Sequence, residues 1–156
     1  MNELKEVLQH EADRLAPKYD TKQAMTLPLL RHAQEIHGYI SPEIEGLVAE
    51  VLELPPVKVR EVVSFYTLFH KKPVGKYRIS VCRTTSCWLR GGEEIAEYIR
   101  KKLGVEDGET TPDGKFTFDT VECLCACEIA PMLSVNDRYH GPLTKEKVDA
   151  LFEELQ

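Results

Sequence analysis

The sequence has no long apolar run. None of its segments approaches the roughly 20 residues needed to cross a bilayer, so membrane contact is expected to be indirect. It also lacks the basic start and apolar stretch of a secretory signal: Met1-Asn2-Glu3-Leu4-Lys5-Glu6 is acidic and amphipathic. An intracellular, reducing compartment is therefore expected. Positive charge is scarce, with 20 Lys and Arg against 26 Asp and Glu and a formal net charge of -6. That balance works against nucleic-acid binding, which is built mainly from basic side chains neutralising phosphates. The same acidity disfavours a helical DNA-binding reading of Pro55-Pro56-Val57-Lys58-Val59-Arg60. There is no Gly-rich phosphate loop, no motif that sets a nucleophile beside a base, and no internal repeat, so an autonomous hydrolase or dehydrogenase finds no support. The C-x-x-C pair of a thiol–disulfide enzyme is missing as well.

What is present is an ordinary folding composition, 42% hydrophobic and 29% charged over 156 residues, enough to bury a core. The first 70 or so residues read as successive helices. Leu4, Val7, Leu8 and Leu15 form one stripe, closed by Pro17. Leu29, Leu30, Ala33 and Ile36 form a second, with Pro28 near its start and Gly38 at its end. Ser41-Pro42 supplies an N-cap and a first-turn proline for a third helix through Ile44, Leu47, Val48, Val51 and Leu52, which Pro55-Pro56 stops. A fourth stripe, Val59, Val62, Val63, Tyr66 and Phe69, reads as core, with Phe65, Tyr66 and Phe69 as an alternative interface surface. Lys71-Lys72-Pro73 then looks like a hinge.

From Tyr77 the period changes. Tyr77, Ile79 and Val81 alternate as a strand does and lead to Cys82. A loop to Cys87 enters a helix carrying Ile95, Ala96, Ile99 and Leu103, with Gly104 as its C-terminal cap. Pro112-Asp113-Gly114 turns the chain into a second strand, Phe116 to Glu122, which delivers Cys123. A short apolar strand from Met132 to Val135, a turn at Asn136-Asp137 and a Thr144-capped helix with Val148, Leu151, Phe152 and Leu155 inward complete the pattern. The expected class is α+β: a helical N-terminal bundle over 1–72, then a small helix-packed sheet over 73–156 compatible with a thioredoxin-like layout.

In a reducing compartment, clustered thiols point to metal or redox work more than to disulfides. Cys82-Arg83-Thr84-Thr85-Ser86-Cys87 and Cys123-Leu124-Cys125-Ala126-Cys127 both follow strands, so neighbouring strands bring them together. Four thiolates from two loops suit two sulfide-bridged irons, each taking a cysteine pair. Zinc also accepts four thiolates, and spacing alone leaves it open. Cys87 at a helix start, the hydroxyls of Thr84, Thr85 and Ser86, and the charges of Arg83 and Arg90 are all expected to favour sulfur charge. Trp88 is read either as a shield over the site or as ordinary helix packing. His10, His32, His37, His70 and His140 are scattered and are assigned no ligand role.

The chain also resembles a known family, through Gly38-Tyr39-Ile40-Ser41-Pro42, Leu54-Pro55-Pro56, Ser64-Phe65-Tyr66, Lys72-Pro73-Val74-Gly75-Lys76-Tyr77, Thr110-Thr111-Pro112-Asp113-Gly114-Lys115-Phe116, Val121-Glu122-Cys123-Leu124 and Ala130-Pro131. These segments, in this order, resemble the small 2Fe-2S subunit of the NADH dehydrogenase module of respiratory complex I, a thioredoxin-like ferredoxin with a helical N-terminal extension. The resemblance implies one 2Fe-2S cluster on Cys82, Cys87, Cys123 and Cys127, which selects iron over zinc. It implies no catalysis by the chain alone, and it implies an NADH- and FMN-binding flavoprotein partner, with FMN and NAD bound there, inside a larger respiratory assembly. Residues 1–72 are expected to carry partner binding, and the location is expected to be cytoplasmic or peripheral on the cytoplasmic face of the inner membrane. Related subunits of NAD-linked hydrogenases and formate dehydrogenases stay open as parents, and a zinc-stabilised interaction module is the reading from another class. Cys125 stands where that family has glycine, a residue suited to close backbone approach or positive φ, either of which a Cβ would strain. It is expected to be a non-ligand, with Cys123 and Cys125 as the alternative pair.

Overall fold

The computed structural model describes residues 2–155, and the chain divides into two units between Pro73 and Val74. In the first, α1 (Asn2–Leu15), α2 (Thr26–His37), α3 (Pro42–Leu52) and α4 (Pro56–Phe65) share one core around Leu8, Leu29, Leu30, Ile44, Val48, Leu52 and Val59. Burying side chains of this size contributes about 2 kcal/mol each. The helix ends follow local chemistry. Ser41 Oγ accepts the Ile44 N–H at 3.3 Å with Pro42 in the first turn, and Gly38 closes α2 at φ 90°, a conformation open to glycine because it has no Cβ. Two expectations shift. The fourth stripe is not one helix, because α4 stops at Phe65 and Tyr66 is extended; Phe69 returns to the core from outside it. Val7 and Ile36 lie at the edges of their stripes and stay substantially exposed.

The second unit is a five-stranded sheet in the order β2-β3-β1-β4-β5. It comprises β1 (Tyr77–Cys82), β2 (Glu109–Thr110), β3 (Phe116–Val121), β4 (Leu133–Val135) and β5 (Arg138–His140). β1 and β3 are parallel, with Tyr77 opposite Phe116 and Cys82 opposite Val121; the other pairings are antiparallel. A parallel pair needs a crossover. It is made by α5 (Thr85–Leu89) and α6 (Gly92–Leu103). Ile95, Ala96 and Ile99 of α6 and Val148, Leu151 and Phe152 of α7 (Lys145–Glu154) share one core with Ile79, Phe118 and Leu133 of the sheet. Thr144 caps α7 by accepting the Lys147 N–H at 3.3 Å.

The single helix expected from Cys87 is two. Gly91, at φ 85°, breaks it, and α6 starts afresh at Gly92. A Cβ on Gly92 would stand 2.7 Å from the Cys87 carbonyl oxygen, so glycine is what lets α6 approach the cysteine loop. The short strands β2 and β5 were not expected, since neither is long enough to show an alternation. Among the described residues no helix is long and apolar enough to cross a membrane.

Candidate metal centre

Because β1 and β3 run parallel and in register, the loops after Cys82 and after Val121 leave the sheet at the same end. They are joined directly. Arg83 N–H donates to the Val121 carbonyl at 3.0 Å, and the Arg83 guanidinium pairs with Glu122 at 2.6 Å. Both partners are exposed, so the pair positions the loops more than it stabilises them. Arg90 Nη1 donates to the Ala130 carbonyl at 3.2 Å, tying the α5 loop to the short 3-10 turn Cys127–Ile129. The charges of Arg83 and Arg90, expected near the cysteines, are engaged by Glu122 and by the Ala130 carbonyl.

Cys82 and Cys87 are buried, whereas Cys123, Cys125 and Cys127 are exposed, and all five are free thiols. Burial opposes ionisation of Cys82, yet the N–H groups of Thr84 and Leu124, with the Cys87 thiol, bring its pKa below the ordinary value. Burial and the hydrogen bond to Cys82 push Cys87 up to about 11, against the Met132 N–H that favours its thiolate. Metal binding at this pair must therefore release the Cys87 proton. Thr84 Oγ1 is buried without an ordinary partner and lies against the Cys82 sulfur. It is the hydroxyl the sequence singled out together with Thr85 and Ser86, and the one aimed into the site.

Backbone hydrogen-bonding groups were invisible in the sequence. Met132 contributes twice, its carbonyl accepting the Cys82 N–H at 3.2 Å and its N–H facing Cys87. Gly92 was missed too, though a glycine pair four residues beyond a cysteine is a readable sign of close approach. Trp88 is 56% exposed; it lines one hollow together with Cys82 and Arg83, and its Nε1 donates to Glu93 of α6 at 2.9 Å.

Cys125 sits at φ 58°. Its N–H donates to Cys123 Sγ at 3.3 Å, and the hydrogen bond to the Cys123 thiol pushes its own thiol pKa up. A left-handed backbone costs an L-residue about 1–2 kcal/mol, a cost glycine does not carry. Cys125→Gly is therefore expected to raise stability by about 1 kcal/mol, read as a higher urea midpoint at unchanged slope. An unchanged or lower midpoint would show that the thiol offsets the strain.

Among the described residues no three His, Cys, Asp or Glu side chains are arranged around one point as a single ion requires. A binuclear cluster instead takes its cysteines as two pairs. Two buried sulfurs, N–H donors aimed at them and an orphaned hydroxyl fit such a group, whose sulfurs accept hydrogen bonds.

A parallel β1/β3 pair flanked by antiparallel strands and packed with α6 and α7 is a thioredoxin-like frame, here with five free thiols at the end of β1 and in the segments that follow β1 and β3. The class is that of thioredoxin-like iron–sulfur proteins. The chain belongs to the thioredoxin-like 2Fe-2S ferredoxin family, which it matches over residues 12–156. It is 40% identical over 149 residues to a subunit of the NADH-quinone oxidoreductase of Rhizobium meliloti, covering 96% of this chain and 89% of that one. It is 45% identical over 149 residues to the corresponding NADH-quinone oxidoreductase subunit of Rickettsia conorii, covering 93% and 89%. Its fold is similar to part of an air-oxidised NAD+-reducing NiFe-hydrogenase, with a TM-score of 0.74 and 21% identity over 85% of this chain and 23% of that chain.

Proposed function

We propose that this chain holds a 2Fe-2S cluster on Cys82, Cys87, Cys123 and Cys127 and passes electrons to or from the FMN of an NADH-oxidising flavoprotein subunit of NADH:quinone oxidoreductase. The carrying observation is the parallel β1/β3 register, which sets the two cysteine loops side by side over buried sulfurs. A cluster held there supplies a one-electron couple at low potential. The chain's own groups do the rest. Thr84, Leu124 and Met132 donate toward the sulfurs of Cys82 and Cys87, which stabilises negative charge in the site and raises its reduction potential. The Arg83–Glu122 and Arg90–Ala130 links hold the two loops in place as the site's charge changes. FMN and NAD bind on the partner, and the assembly sits peripherally on the cytoplasmic face of the membrane. Relatives of 40% and 45% identity over nearly the whole chain support the quinone oxidoreductase as parent.

Partner binding by residues 1–72 is supported by the end of α4. Phe65 is 78% exposed there, beside an open hollow of about 670 Å3 that it lines with Val62 and Tyr66. Exposed aromatics of this kind are common anchors of interfaces. Phe65→Ala is expected to weaken binding to the flavoprotein at least about tenfold with the visible spectrum of the chain unchanged. Unchanged affinity would remove α4 from the interface.

The function itself is tested by mixing the purified chain with the flavoprotein and adding NADH under anaerobic conditions. Bleaching of the iron–sulfur absorbance is expected only when both proteins are present. Absence of bleaching in the complex would contradict the proposal.

A further inference from the structure

We propose that Trp88, pinned by Glu93, is the wall that keeps water from Cys82 and so sets the reduction potential of the cluster lower than an open site would give. This role rests on the cluster reading above and concerns the solvent side of the same site.

A hollow of about 380 Å3 lies among the end of β1, α5 and α6. Water takes about 30 Å3 in the liquid, so this is room for about ten molecules. The hollow ends on Cys82, Gly92 and Ala96, which are all buried, Cys82 to 3% exposure. Solvent that fills it therefore arrives at the sulfur ligand itself. Trp88 is the one aromatic residue in the lining.

The other long side chains of the lining are tied to partners outside it. Arg83 pairs with Glu122 at 2.6 Å and Glu97 with Lys101 at 2.8 Å. Arg100 lies 5.8 Å from the centre of the Phe118 ring, with Glu106 at 3.6 Å. Trp88 and Glu93 both line the hollow and are bonded to each other, the indole Nε1 donating to the carboxylate at 2.9 Å. That bond spans the break between α5 and α6 at Gly91, so it holds the indole against the hollow instead of leaving it to swing out on a five-residue helix.

Reduction adds one negative charge to a cluster. Water at a ligand sulfur stabilises that charge and raises the potential, and a drier site lowers it. Cys123 and Cys127 are exposed, so water meets the site on their side whatever Trp88 does. The wall governs the Cys82 side alone, and its effect is correspondingly moderate.

The test compares the full, loaded chain with Trp88→Ala, Glu93→Ala and Glu93→Gln by redox titration read in EPR. At a fixed potential, Trp88→Ala is expected to raise the ratio of reduced to oxidised cluster about threefold, which is about 30 mV for one electron. Both Glu93 variants lose the carboxylate charge, but only Gln keeps an acceptor for the indole N–H. The ratio in Glu93→Ala is therefore expected to exceed that in Glu93→Gln about twofold. Trp88 is the single tryptophan of the chain, so its fluorescence reports the pin directly: acrylamide should quench it more strongly in Glu93→Ala than in Glu93→Gln or the wild type. An unchanged or lowered ratio in Trp88→Ala, equal ratios in the two Glu93 variants, or equal quenching in all three proteins would each overturn the proposal. Should Trp88→Ala fail to hold the cluster, the two Glu93 variants decide. Wild-type protein without iron and sulfide overturns this proposal together with the reading beneath it, whereas a loaded wild type with an unchanged ratio in Trp88→Ala overturns this proposal alone.

Discussion

A Cys87→Ala chain should purify with iron and acid-labile sulfide reduced at least about tenfold, the scale on which even groups outside the coordination sphere alter metal affinity. Cys87 is 1% exposed, in contact with Cys82, and held by a short helix whose Cys87 and Trp88 N–H groups both return to the Thr84 carbonyl. Nothing replaces its sulfur: the one spare thiol, Cys125, rests against Cys123 on the opposite loop. Losing it leaves one iron short of a ligand in a buried place where water is a poor substitute. The protein should stay folded, since the core of the second unit lies elsewhere, around Ile79, Ile99, Phe118, Leu133 and Val148. Retention of full sulfide in this variant would remove Cys87 from the ligand set.

Gly141→Ala is expected to destabilise the second unit by about 3 kcal/mol and to lower cluster content with it. A Cβ there would stand 2.2 Å from the Ile129 carbonyl oxygen and 3.1 Å from Met132 Cβ. The carbonyl is backbone, so the clash cannot be relieved by turning a flexible side chain. It belongs to the turn Cys127–Ile129, and the same stretch receives Arg90 at Ala130 and the Leu143 N–H at Pro131. Displacing it therefore moves Cys127 relative to the α5 loop. The expected readout is a urea midpoint lowered by about 1 M or more, together with reduced iron content. A variant with unchanged midpoint would show that the turn yields freely.

The parts of the fold written in side-chain patterns were legible. The Tyr77, Ile79, Val81 alternation located β1 and its terminal cysteine, Ser41-Pro42 located the start of α3, and Thr144 located that of α7. What escaped was set by the backbone. Gly91 splits a helix that its apolar positions cross without interruption, because periodicity records which face is buried and not whether φ stays negative. β2 and β5 are too short for alternation to register. The donors that shape the sulfurs, at Leu124 and Met132, are N–H groups that any residue carries. Arg83 and Arg90 were readable as charge near the cysteines, but their real partners, Glu122 and Ala130, come from chain segments brought close only by folding. Cys125 is the instructive case. Its departure from the family glycine raised a left-handed backbone as an expectation, and φ 58° is the finding.

Metal and sulfide analysis of the anaerobically purified wild-type chain tests the central claim most directly. About two irons and about two acid-labile sulfides per chain are expected. Zinc bound without sulfide would contradict the cluster assignment.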